Sequence, residues 1–441
     1  MAEFTVSELL KATGGTLCAP ALSLNAVITG ATIDTRTLQK GELYVPIRGE
    51  VFDGHRFIPQ AIEKGALLVL SEIDTDAPHI RVDNCVLAYQ NIAKLHRERF
   101  DIPVICITGS VGKTTTKDLV KTVVSQRFTT HATVGNLNNQ TGVPTTVLRL
   151  APEHEVSVME LGTNHFGEID AIARVTQPTI CLFTNIGEAH IEFFGSREGI
   201  FQGKTEMLHH ARPGAKVLVN GDDDLLCTVP NAIRYGIGDA NDVRAVNIVS
   251  DGLEHTTFTA EFFGRRLPVE LFAAGDYMVR NALSAIAVGT LLNMTDEELA
   301  AGLRAFTPTK GRADILHTER FTVIDGTYNA NPTSMEAALR LLHDAKTRRV
   351  AIFGDMLELG PSAPSYHARI GALADELGIE LLLCVGPLAK NAATHRNAKW
   401  FPDHAALKEA LPFLVQDGDT ILVKASHGMH LKETVELLKT L

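Results

Sequence analysis

Val104-Ile105-Cys106-Ile107-Thr108-Gly109-Ser110-Val111-Gly112-Lys113-Thr114-Thr115-Thr116 is the stretch whose reading decides the fold. An apolar, β-branched run passes through a Gly-rich turn into a helix-forming segment, the order of strand, loop and helix N-terminus. Glycines allow close backbone approach, successive N–H groups and the start of a helix attract anionic oxygens, Lys113 adds a point charge, and Thr114 offers a hydroxyl suited to Mg²⁺. Gly109, Ser110, Val111, Gly112, Lys113, Thr114 and Thr115 therefore read as a phosphate-binding loop rather than an ordinary β–α turn. The spacing Gly-x-x-Gly-Lys-Thr is shorter than the general G-x-x-x-x-G-K-[ST], which sets the loop apart from generic GTPases and transporters.

The same alternation of strand, loop and helix extends on both sides. Residues 156–161 precede a helix from Glu168, so 83–310 reads as a parallel sheet with covered faces. From 311 onward strands at 321–325, 350–354, Leu381–Val385 and 420–423 alternate with helical stretches such as 332–345. That is a separate Rossmann-like unit, without the G-x-G-x-x-G of a dinucleotide site. Residues 1–82 carry short strand-like pieces at 26–28, 43–47 and 67–70 among Gly and Asp turns, the pattern of a small mixed α/β domain. The expected fold class is α/β in three domains, 1–82, 83–310 and 311–441.

Length supports the division, because 441 residues exceed the roughly 250–300 at which one hydrophobic core stops growing. Lys+Arg 41 against Asp+Glu 52 gives a net charge of −11, no field for a nucleic-acid backbone, so anions must be held by local devices. The six cysteines show no C-x-x-C and read as buried apolar residues in a reducing compartment. No basic-then-apolar leader and no apolar run of about 20 residues is present. The expectation is a cytoplasmic protein with no membrane span.

Glu160 closes one apolar strand and His190 follows another, at the strand ends where such sheets bind ligands. Taken singly, Glu160 reads first as an ion-paired strand end and His190 as a capped surface histidine; their shared placement with the phosphate loop reverses this in favour of Mg²⁺. Segment 135–144 crowds Asn136, Asn138, Asn139 and Gln140 between Gly135 and Pro144, and reads equally as a plain turn-rich loop or a polar ligand loop. Asp325-Gly326-Thr327-Tyr328-Asn329-Ala330-Asn331-Pro332 has the same character, with Pro332 opening a helix. Lys204, in Gln202-Gly203-Lys204-Thr205-Glu206, reads by itself as a solvated helix lysine.

With the phosphate loop, the Asn-rich loop and Tyr328-Asn329-Ala330-Asn331-Pro332 in this order, nearly the whole chain resembles the Mur ligase family, ATP-dependent amide ligases of peptidoglycan synthesis. Asp34-Thr35-Arg36, Asp53-Gly54-His55 and Gly354-Asp355-Met356-Leu357-Glu358-Leu359-Gly360 add to the likeness. It implies small-molecule substrates: UDP-N-acetylmuramoyl-tripeptide, D-alanyl-D-alanine and ATP, with two Mg²⁺ and an acyl-phosphate intermediate, in a monomer. By the same resemblance Thr35, Arg36, Asp53, Gly54 and His55 meet the uridine nucleotide, and Asn138, Asn139, Tyr328, Asn329 and Asn331 bind substrate. Lys113, Glu160, His190 and Lys204 form the catalytic set. Thr114 and Glu160 hold one Mg²⁺, His190 helps with a second, and Lys204 matches a carbamylated lysine of related ligases. Asn281, Arg312 and Asp325 match contacts to the base, phosphate and ribose of ATP; the last two lie beyond a hinge at 308–311. Two segments depart from the family pattern: Gly275-Asp276-Tyr277-Met278-Val279-Arg280-Asn281 lacks the usual His-Asn pair, and Lys424-Ala425-Ser426-His427 stands where Lys-Gly-Ser-Arg is common.

Overall fold

The strands Val104–Thr108 and Val156–Glu160 are buried at every residue, as continuous apolar runs require when a sheet is covered on both faces. In the computed structural model, residues 2–19, 21–49, 52–308, 311–312, 314–394 and 396–441 are described. Thr309 and Lys310, on which the hinge at 308–311 and the boundary at 310 fall, lie outside the described residues. Met1–Cys106, Phe128–Cys181 and Thr205–Ala215 form one unit, and Ile107–Arg127, Leu182–Lys204 and Lys216–Leu441 another. The division falls inside the strands Val104–Thr108 and Ile180–Phe183.

In the first unit a five-stranded sheet has the order Thr16–Cys18, His79–Arg81, Leu68–Ser71, Leu43–Tyr44, Ala31–Thr32, parallel except for the first pair. The strand expected at 43–47 is only Leu43–Tyr44; Pro46 has no N–H for a ladder. Capping fixes the helix starts. Thr5 and Glu8 form a reciprocal capping box on Val6–Thr13, and the Asn84 carboxamide oxygen accepts the Leu87 N–H at the start of Cys85–Arg97. Thr130–Ala132 pairs in parallel with Val156–Glu160, which puts Glu160 at a carboxyl end.

The second unit holds a six-stranded sheet ordered Asp314–His317, Thr322–Asp325, Thr420–Lys424, Arg349–Gly354, Leu381–Val385, Ala398–Phe401, parallel but for the first pair. Apolar clusters containing Leu339, Leu342 and Ile370 on one side and Leu407, Leu411 and Val435 on the other cover it, as expected of a Rossmann-like layer structure. Pro332 opens the helix Pro332–His343 at its first turn, behind an Asn331 N-cap.

One expectation needs correction. Lys216–Asn220, Ile233–Gly236 and Val243–Asp251 are parallel neighbours, but His255–Phe262 and Arg265–Leu271 continue them as an antiparallel ribbon. Phe263-Gly264, both at positive φ, make the tight second turn, and burial alternates strictly along His255–Phe262, one face in the core and one toward water. The 83–310 region is thus not purely parallel. No helix among the described residues is long and apolar enough to cross a membrane.

Helix Lys113–Val124, which starts at the phosphate loop, packs on Asp296–Arg304 by way of Gly302, where an added Cβ would lie 2.5 Å from the Val123 Cα. Gly302→Ala gains about 1 kcal/mol of helix propensity yet forces two backbones apart, at a cost of about 1–3 kcal/mol. A thermal melt of Gly302→Ala should show a lower midpoint than wild type; an equal or higher one would contradict this packing.

Candidate active site

In the second unit the phosphate loop is held from outside. Ser110 N donates to Asn185 O at 2.9 Å, Val111 N to Asn185 Oδ1 at 2.9 Å, and Gly187 N to Ser110 Oγ at 2.9 Å. Thr184 Oγ1 and Asn185 Nδ2 both donate to Val111 O, at 2.6 and 3.0 Å. A side chain at Gly109 would collide with Thr184, and Gly112, at φ 83°, is the N-cap residue of Lys113–Val124 with no side-chain cap. The start of a helix, with its partial positive charge, therefore faces the loop, the end of a helix that favours anions. Lys113 Nζ folds back to Gly109 O at 2.9 Å, and Thr114 is buried. Thr116 Oγ1 donates to Asn281 Oδ1 at 3.0 Å, joining the helix to Asp276–Leu291, while the Asn281 Nδ2 faces the Met278 sulfur at 3.8 Å.

His190 sits at φ 60°, with Nδ1 2.5 Å from Glu358 Oε2, an arrangement that leaves Nε2 for a ligand. Two residues before it, Glu188 accepts from Thr333 Oγ1 at 2.7 Å and Arg369 Nη2 at 2.9 Å.

The reading of Lys204 as a solvated lysine is overturned, for its side chain is 1% exposed. Gly199 and Gly203, one turn apart on Arg197–Thr205, let that helix close on Phe194: an added Cβ would come within 2.2 Å of its carbonyl oxygen at 199 and 2.5 Å of its ring at 203. Burial, with the Lys113 cation adding repulsion, holds the Lys204 amine well below the ordinary lysine range.

Further along this unit, the Arg312 guanidinium lies 3.8 Å from the Tyr328 ring centroid. Asp325 is buried, its Oδ1 accepting from Thr327 N and Oγ1 at 3.0 and 2.6 Å. Lys424 Nζ donates to Asn329 O at 2.8 Å; burial and the nearby Arg312 push this amine down to about 8, against the opposite pull of Asp325. Asn329 Oδ1 accepts from Ala330 N at 2.9 Å, and Asn331 shapes the loop by capping, its Oδ1 accepting from Ser334 N. Tyr328 and Asn329 are the exposed members, with the His427 ring 6.3 Å from that of Tyr328.

In the first unit Glu160 is buried and accepts from Asn138 Nδ2 at 2.7 Å, which ties the Asn-rich loop to the strand end. Asn139 Oδ1 accepts from Gly142 N at 2.8 Å, at the start of Gly142–Val147. His55 is spent inside the fold: Nδ1 meets Asp53 Oδ1 at 2.6 Å and Nε2 accepts the Glu72 N–H at 3.1 Å. The His55 amide and ring together hold the Asp53 carboxyl far below its usual range. Gly54 is fixed by the Ile47 carbonyl and the Tyr44 hydroxyl. Thr35 Oγ1 donates to Gln60 Oε1 at 2.9 Å, and Arg36, mostly exposed, pairs with Asp34 at 2.7 Å.

Among the described residues no group of three or more His, Cys, Asp or Glu comes together as a metal cluster. Taken each within its own unit, the buried Thr114 hydroxyl of the second and the buried Glu160 carboxylate of the first are hard oxygen donors, and the His190 imidazole of the second is a nitrogen donor. Single oxygen donors are the kind Mg²⁺ takes, since it keeps waters and shares phosphate oxygens instead of filling a protein cage. Sequence reasoning missed Glu188, Thr333 and Arg369, whose roles depend on contacts between segments far apart in the chain. A glycine-flanked carboxylate just before His190 was the available signal for Glu188.

The Mur ligase family, catalytic domain, matches residues 27–100; the Mur ligase middle domain matches 107–289; and the Mur ligase glutamate ligase domain matches 311–427. Among curated relatives, UDP-N-acetylmuramoyl-tripeptide–D-alanyl-D-alanine ligase of Bacillus subtilis is 34% identical, covering 99% of this chain and 98% of its own. The proteins of the same name from Synechocystis and Escherichia coli are 37% and 35% identical, covering 95% and 100% of this chain and 93% and 99% of theirs. A crystal structure of MurF from Acinetobacter baumannii superposes with a TM-score of 0.94 at 32% identity over all of both chains. Three matched segments in order and relatives of this identity over the full length make the conclusion plain: the chain belongs to the Mur ligase family.

Proposed function

We propose that the protein joins D-alanyl-D-alanine to UDP-N-acetylmuramoyl-tripeptide, converting ATP to ADP and phosphate. What carries this reading is the full-length likeness to ligases of that name, which runs through all three matched segments. We assign the uridine nucleotide to 1–82, ATP to 83–310 and the incoming dipeptide to 311–441. On this reading the enzyme works in the cytoplasm, as a monomer, with no nucleic-acid or membrane partner.

A tripeptide carboxylate oxygen attacks the γ-phosphorus, the bond to the bridging oxygen breaks, and ADP leaves. The neutral amine of the dipeptide then attacks the acyl carbon, phosphate departs, and the amine proton passes to solvent. No protein nucleophile takes part. Lys113 and the N-terminal end of the helix Lys113–Val124 stabilise the charge that develops on the transferring group. Asn281, Arg312 and Asp325 hold the base, phosphate and ribose. Glu160, Thr114 and His190 are the Mg²⁺ donors, and the ions supply charge neutralisation on the phosphates. Arg36 is the exposed cation for the uridine diphosphate, with Asp53, Gly54, His55 and Thr35 shaping the backbone around it. Asn138 orients Glu160, and Tyr328, Asn329 and Asn331 form the dipeptide side. Lys204 works as a carbamate. Burial lowers the proton affinity of its amine, and the unprotonated amine adds to CO₂ with loss of a proton, giving an anion with oxygen donors.

The direct test incubates the protein with ATP, UDP-muramoyl-tripeptide and D-alanyl-D-alanine and reads products by mass. The UDP-pentapeptide should form, with sustained ADP production requiring both the UDP-tripeptide and the dipeptide. Sustained ADP production with neither present would mark a nucleotide-hydrolysing switch instead. Lys113→Ala should lose about 10²–10³ of the rate or more while binding UDP-tripeptide as before, because one charge-stabilising donor is typically worth that much; near-full activity would remove the phosphate-loop assignment. Lys204→Ala should lose most activity and regain part of it with a small added carboxylate, and wild type should slow in CO₂-depleted buffer. A fully active Lys204→Ala enzyme would exclude the carbamate.

A further inference from the structure

The turn Gly187-Glu188 touches the phosphate loop on one side and the helix Pro332–His343 on the other. Gly187 N donates to Ser110 Oγ, and Ser110 Oγ donates in turn to Gly187 O at 3.3 Å. The next residue, Glu188, is 12% exposed at its side chain and spends both carboxylate oxygens on the 311–441 block: Thr333 Oγ1 on one, Arg369 Nη2 on the other. Thr333 is the second residue of its helix, directly after Asn329, Ala330, Asn331 and Pro332. The approach is close, for a Cβ at Gly187 would stand 2.1 Å from Thr333 Oγ1.

We propose that Glu188 is a positioning residue, which through Thr333 and Arg369 sets the Asn329–Asn331 loop in register with the phosphate loop, so that the dipeptide amine meets the acyl phosphate. This rests on the ligase reading above and goes beyond it by naming the residue that aligns the second half-reaction. A charged hydrogen bond in a half-buried seam can be worth a tenfold effect or more when one partner is removed. The effect should fall on dipeptide use and spare nucleotide chemistry, because the phosphate loop keeps its bonds to the Gly187 backbone whichever side chain stands at 188.

The experiment separates the half-reactions. Acyl phosphate is trapped with hydroxylamine as the hydroxamate in the absence of dipeptide, and the UDP-pentapeptide is measured with D-alanyl-D-alanine varied. Thr333→Val and Glu188→Ala should form hydroxamate within about twofold of wild type, with the dipeptide KM raised about tenfold or more. Thr333→Ser, which restores the hydroxyl, should return the KM to the wild-type range. Equal losses of hydroxamate and pentapeptide, or an unchanged dipeptide KM, would overturn the proposal. Should Glu188→Ala fail to fold, the near-isosteric Thr333→Val decides. A wild-type enzyme that forms no hydroxamate would strike the ligase reading itself, a separate outcome.

Discussion

The turn from Val104–Thr108 into Lys113–Val124 does not satisfy its peptide groups by itself, and residues 184–187 satisfy them for it. A loop that pointed every donor inward at its own backbone would have nothing left for an anion; one left unsupported would leave buried amides and carbonyls unpaired. Taking partners from the next loop resolves the conflict. The Ser110 and Val111 groups are spent on Thr184, Asn185 and Gly187, and Gly112 starts the helix with no side chain of its own over the first turn. The position of His190 follows, since its segment is anchored by the same bonds.

The chain is acidic overall yet collects cations where it needs them, and it does so by burial. Lys424 and Lys204 are both withdrawn from water, which lowers the cost of losing a proton from each. The Arg312 guanidinium lies over the Tyr328 ring. Net charge of −11 thus says little about what the second unit binds; the local arrangement decides.

Much of this was legible in one sequence. The phosphate loop announces itself because the strand, glycines, lysine and helix follow each other without interruption, and Pro332 behind Asn331 marks a helix start by local rules alone. The burial of Lys204 was not legible from its neighbours Gln202, Thr205 and Glu206, which look solvated; Gly199 and Gly203 held the clue, one turn apart on the face that meets Phe194. His55 drew attention as a ligand residue, but an imidazole with both nitrogens engaged by Asp53 and Glu72 is a structural pin. The ribbon from 243 to 271 shows plain alternation at His255–Phe262, hidden by the expectation that a parallel sheet continues. Glu188 and Glu358 find partners far away in the chain, a pairing no local pattern encodes.

Among the described residues that ribbon also ends in an unpaired edge, since Arg265–Leu271 pairs there only with His255–Phe262. An unpaired strand is a template on which a second chain can add, and a cell holding many copies of a protein must suppress that addition. The residues turned away from the core here are Arg266, Pro268 and Glu270: two charges and an imino acid with no N–H to give. Glu270 is further tied down by His255 and Arg304. The edge is thereby closed to strand addition, so the ribbon can lengthen the sheet without making the surface adhesive.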